Sequence, residues 1–154
     1  RLLRDAVILE NWEGTHNTLC MQVLRDIHRY QHDEVCLRVM AQHIDSLNTE
    51  QAHEQSLAQD ALEVLRQQLA ELHAASEDLQ TLQIQDVIHQ IANLYYYLAL
   101  VQEGAHQLQN DGTNNKLQCA ALFHRDFLSD GRHNRDASYL ALCQDVLDVD
   151  NTQT

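Results

Sequence analysis

The sequence contains no proline, and its only glycines are Gly14, Gly104, Gly112 and Gly131. Without proline there is no residue that fixes φ and breaks a helix from within. With so few glycines there are few sites for a left-handed turn. Aromatic residues make up 5% of the chain, while Leu, Ala, Gln, Asp and Glu abound. Strands favour aromatic and β-branched side chains, and helices favour the residue types found here. The composition therefore disfavours a sheet and predicts an all-α fold: a helical bundle of up-and-down helices with short connections. At 154 residues, the chain is long enough for a domain with its own core.

Basic side chains are also scarce. Ten Lys and Arg stand against 23 Asp and Glu, for a net charge of −13. Residues 1–32 balance, with Arg1, Arg4, Arg25 and Arg29 against Asp5, Glu10, Glu13 and Asp26, so the excess lies in residues 33–154. A surface of that sign repels phosphate backbones and anionic bilayers, which argues against nucleic-acid and membrane partners. Cys20, Cys36, Cys119 and Cys143 show no paired CxxC spacing, and each falls among apolar neighbours. That pattern reads as free thiols in a reducing compartment rather than disulfides or a metal centre, and no metal is expected. The longest apolar-rich run, Ile84 to Val101, is interrupted by Gln85, Asp86, His89, Gln90 and Asn93, so it is not a membrane span. A cytoplasmic location is expected, or an organellar matrix if a targeting segment precedes residue 1.

Periodicity divides the chain into helices. Residues 2–10 read as the end of a helix, and Asn11 to Asn17 as a connection broken by Gly14. A helix is predicted over about 18–30, with Leu19, Val23, Leu24 and Ile27 on one face. The next spans 33–47, with a stripe of Cys36, Val39, Met40, His43, Ile44 and Leu47. Asn48-Thr49 offers a cap for a helix over 50–73, striped by Ala58, Ala61, Leu62, Leu65, Leu69 and Leu72. The strongest pattern comes next: Ile84, Val87, Ile88, Ile91, Leu94, Tyr95, Leu98, Val101, Ala105 and Leu108 keep a three-four spacing, as expected of a central helix. Asp111 to Asn114 is a turn by composition. Helices over about 115–129 (Leu117, Ala120, Ala121, His124, Leu128) and 135–149 (Leu140, Cys143, Leu147) complete the chain, and 150–154 reads as a disordered tail.

Chemistry is concentrated near the start, in Arg4-Asp5-Ala6 followed by Trp12-Glu13-Gly14-Thr15. By itself, a carboxylate at a helix–loop–helix corner reads as solvated, and the glycine as a helix stop. In a cavity closed by Trp12, however, Glu13 would be desolvated and its proton affinity raised, as a general base requires. Thr15 and the first amides of the next helix would favour an anionic group on the same side.

The segment Leu-Arg-Asp-Ala, then an aromatic residue before Glu-Gly-Thr, resembles the active-site segment of the flavin-dependent acyl-CoA dehydrogenases, with the same Asp5–Glu13 spacing. The resemblance implies an FAD enzyme that oxidises the α,β carbon–carbon bond of an acyl-CoA substrate and assembles as a homo-oligomer. It casts Glu13 as the base that removes the α-proton, and Gly14 as the backbone position close to the substrate. Trp12 would line the acyl pocket, and Thr15 and Asn17 would contact FAD. Because the segment stands at the start of the chain, the implied reading is a C-terminal piece of a larger enzyme, inert alone. Residues 1–32 would close the dehydrogenase bundle and 33–149 would form an additional helical region. His16-Asn17 and Thr18 to Met21 depart from the usual family run, which leaves the substrate open. Cys20-Met21-x-Val23-Leu24-Arg25 is closer to the alkylation-response branch, whose members carry extra helices after this segment. From a different class, a helical interaction or oligomerisation module without catalysis fits the acidic shell and apolar central helix.

Two other patterns are weaker. His28, His32 and Cys36 recur every four residues, a spacing that can chelate zinc on one unbroken helix. A helix starting at Asp33 would break that register. Tyr95, Tyr96 and Tyr97 cannot all face inward, and the stripe assigns Tyr95 to the core and the other two to a surface contact. His89 and His124, on or beside apolar stripes, read as structural histidines.

Overall fold

A computed structural model describes residues 16–47, 49–129 and 137–148. Its six α-helices are α1 (His16–Tyr30), α2 (His32–Asp45), α3 (Ala52–Ala74), α4 (Glu77–Asp111), α5 (Asn115–Phe127) and α6 (Ala137–Asp148). A 3₁₀ turn at Thr49–Gln51 leads into α3. No strand occurs among the described residues, and no helix there is long and apolar enough to cross a membrane. The all-α bundle inferred from composition and periodicity is the observed architecture. The helix expected over 2–10 and the tail 150–154 lie outside the described residues.

The 35-residue α4 is roughly 52 Å long at the usual rise per residue. It forms the axis of the molecule, packing against α1, α3 and α5, while α2 lies on α3 and α6 on α5. One core runs through α1 to α5, from Cys20, Leu24 and Ile27 through Met40, Ile44, Leu65 and Leu72 to Ile84, Leu94, Val101 and Ala120. Glutamines stitch the helices through main-chain carbonyls. Gln55 Nε2 donates to Ile44 O at 3.0 Å, and Gln90 Nε2 to Ala61 O at 3.3 Å.

Two positions require unusual backbone freedom. Gln31, at φ 55° and ψ 40°, is the single residue between α1 and α2, and its amide closes α1 onto Ile27 O at 2.9 Å. Gly112, at φ 70°, ends α4 with its amide on Leu108 O at 3.1 Å, in the turn predicted at 111–114. Gly104 serves a different purpose. A Cβ built there would meet the Leu117 side chain and backbone nitrogen at 2.8 Å, so its absence lets α5 approach α4 closely.

Several assignments within the helices differ from expectation. Tyr95 is exposed and Tyr97 fully buried, the reverse of the predicted pair. At about 100° per residue the two stand on opposite flanks of the same stripe, and spacing alone does not choose between them. The chain chooses by laying α5 on the flank that carries Tyr97, Val101 and Gly104. There the Tyr97 ring lies 5.3 Å from His124, and its hydroxyl donates to Glu54 O of α3 at 3.4 Å. Leu19, Val39, His43, Ala121 and Leu140, predicted on inward faces, are exposed, each lying on a part of its helix that no neighbour covers. Tyr97→Ala is expected to cost about 3–5 kcal/mol, as for other large buried aromatics. Tyr95→Ala should stay within about 0.5 kcal/mol, the range for an exposed site. Urea denaturation of the two variants checks the inversion.

Candidate functional site

Of the residues that carry the Glu-Gly-Thr pattern, Trp12, Glu13, Gly14 and Thr15 lie outside the described residues. Asn17 is described only as part of the first turn of α1. Immediately downstream of the segment stands a helix that begins at His16 and is anchored in the core by Cys20, Leu24 and Ile27.

Where α1 ends, four helices meet in a polar knot. Gln80, in the first turn of α4 and buried, directs both amide hydrogens at the end of α3, donating to Leu72 O at 3.0 Å and Ala75 O at 3.2 Å. These carbonyls belong to the last turn and C-cap of α3, where the helical ladder runs out; Leu72 O also accepts from the Ala75 amide at 3.2 Å. The Gln80 oxygen accepts from His28 Nε2 at 2.9 Å, which ties in α1. Beside it, His73 Nε2 donates to Asp33 Oδ2 at 2.7 Å, joining α3 to the first turn of α2. The His28 and His73 rings sit edge to face with centroids 6.3 Å apart. Asp33 is buried, and its Oδ1 has no partner among the described residues.

The His28, His32 and Cys36 spacing does not form one face. Gln31 breaks the helix between the first two, so His28 turns to Gln80 while His32 stacks on the Tyr30 ring at 5.3 Å. Cys36 Sγ lies 4.0 Å from Met40 Sδ. Burial, reinforced by the Asp33 carboxylate, pushes the Cys36 thiol above its ordinary range, and burial does the same at Cys20, so neither is an activated nucleophile. All four cysteines are free. No group of three His, Cys, Asp or Glu side chains positioned for a metal ion occurs among the described residues.

Several openings flank α4, and two of them have a substantial apolar lining. A cleft of about 700 Å³ between α1 and the start of α4 is lined by Met21, Leu24, Arg25, His28, Arg29, Glu77, Gln80 and Thr81. A more apolar groove of about 430 Å³ lies between α2 and the middle of α4, bounded by Val39, Met40, Ile91, Tyr95 and Tyr96. Sequence reasoning missed Gln80, although it stands four residues before Ile84 on the same stripe. Extending the stripe one turn upstream is the signal that finds it.

His124 acts structurally, half-buried against the Tyr97 ring; His89 is exposed. Comparison with protein families, with characterised proteins and with solved structures finds no match to this chain.

Burial, and then the charge on His53, lowers the proton affinity of His124, against an opposing pull from Asp60. A histidine depressed in the folded state binds fewer protons than the same residue in the unfolded chain as pH falls. The stability tied to its neutral form is present above the ordinary value of about 6.5 and lost as pH drops through the lower folded value. Thermal denaturation should show the melting temperature falling as pH drops below about 6.5, and His124→Gln should flatten that slope. An unchanged slope in the variant would remove His124 as the cause.

Proposed function

We propose that this chain is the C-terminal helical part of an FAD-dependent, acyl-CoA dehydrogenase-like oxidoreductase. The observation that carries the reading is the run Arg4-Asp5-Ala6 to Trp12-Glu13-Gly14-Thr15, leading directly into a helix that starts at His16. That is the order a base-bearing loop needs: a free carboxylate, a glycine allowing close approach of the backbone, then helix amides facing an anionic group. The buried Cys20, Leu24 and Ile27 support it further, because they anchor the adjoining helix to the bundle and so hold the loop's downstream end.

In this reading Glu13 takes the α-proton of an acyl-CoA thioester, and the C–H electron pair moves into the forming α,β double bond. Bound FAD supplies the acceptor for the β-hydride. Trp12 lines the acyl pocket and keeps water from Glu13, which raises the proton affinity of the carboxylate. Gly14 lets the backbone approach the thioester, and Thr15 and Asn17 bind the cofactor. The complete enzyme is a homo-oligomer in the cytoplasm or an organellar matrix, and residues 33–149 are its additional helical region.

A second reading, a helical interaction or oligomerisation module without catalysis, draws on the exposed Val35, Val39, Tyr95 and Tyr96 around the α2–α4 groove. Glu13→Gln in the complete enzyme separates the two. The enzymatic reading predicts retained FAD with thioester oxidation reduced about 10²–10⁴-fold, the usual contribution of a positioned base. Turnover equal to wild type would overturn it and leave the module.

A further inference from the structure

We propose that the cleft between α1 and α4 binds a small amphipathic carboxylate, an anionic head on a short apolar body. The inference does not depend on Glu13. At about 700 Å³ the cleft falls within the size range of small-molecule sites, about 300–1,000 Å³. Its lining is divided by chemistry. Leu24 is buried and forms an apolar floor, while Met21, beside it, is exposed and adaptable.

Arg25 and Arg29 stand one turn apart on the same wall, both exposed. Arg25 makes no hydrogen bond or ion pair among the described residues. Arg29 lies over the Tyr30 ring, 5.2 Å from its centroid, and makes no ion pair among the described residues. A planar fork of N–H groups is suited to a carboxylate, which it can grip with two parallel hydrogen bonds.

One carboxylate, Glu77, lines the opposite wall. It sits in the first turn of a long helix, whose N-terminal amides offset its charge, so the two arginines dominate the cleft. The rest of the molecule sets the size of the occupant. Residues 33–154 carry six basic side chains against nineteen acidic ones, a field that repels polyanions and anionic bilayers and leaves the arginine pair as a local exception. A monoanion small enough to stay inside the cleft escapes that repulsion. The wall behind it is rigid, because Gln80 is fixed by bonds to His28, Leu72 and Ala75.

The test uses the 154-residue chain with hexanoate, acetate and hexanamide as probes, monitored by NMR. Hexanoate should shift the Met21 methyl and Thr81 amide signals saturably. Acetate, which lacks the apolar body, and hexanamide, which lacks the charge, should each bind at least tenfold more weakly. Arg25→Gln/Arg29→Gln should lose at least tenfold in hexanoate affinity with an unchanged circular dichroism spectrum, since both side chains are exposed. Acetate matching hexanoate would reduce the site to surface ion pairing, and hexanamide matching it would reduce the site to an apolar dent. Either result, the absence of saturable shifts, or full affinity in the double variant overturns the proposal.

Discussion

The burial of α4 is the constraint on which the other elements depend. A helix this long with a continuous apolar stripe cannot stand in water, and α1, α3 and α5 each cover part of it. The cover changes along its length. Near Gln80 and Ile84 the neighbours are α1 and the end of α3; near Tyr97 and Val101 they are the start of α3 and α5. Gln80 fixes the lower end by donating to the Leu72 and Ala75 carbonyls where α3 stops, and Gly104 fixes the upper end by admitting Leu117. Apolar burial supplies the driving force, which is non-directional. These polar and steric contacts select one arrangement among the many that would bury the same stripe.

Most of the fold was legible in the sequence, for identifiable reasons. The absence of proline and the three-four spacing from Ile84 to Val101 require helices, and Asp111-Gly112 marks the end of α4 correctly because a glycine takes the left-handed C-cap. What could not be read is which flank of a stripe each neighbour covers. Tyr95 and Tyr97 pass the same spacing test, and only the approach of α5 separates them. The break between helices predicted over 18–30 and 33–47 was legible and falls at Gln31; composition does not announce that this non-glycine residue takes positive φ there. Gln80 and Asp33 are polar residues in the core, and a reading based on apolar pattern passes over them even though they join helices.

The candidate site divides differently. The order of residues at Trp12 to Thr15 is its one sequence signal and lies outside the described residues; what the bundle shows is the helix immediately downstream, anchored in the core. His28 is a second anchor of that helix. It lies near the far end of α1 and binds Gln80 at the base of the core. α1 is thus pinned both along its apolar face and at its far end. The surplus of negative charge lies outside residues 1–32, where four basic side chains balance four acidic ones.

The central claim is that α1 and α4 form one rigid unit, joined by the apolar core and by the His28–Gln80 bond. Native-state hydrogen exchange tests this most directly. Amides of Leu24 to His28 in α1 should exchange only through global unfolding, with the same free energy as Ile84 to Val101 in α4. Exchange of the α1 amides by an independent opening, orders of magnitude faster than those of α4, would contradict the account.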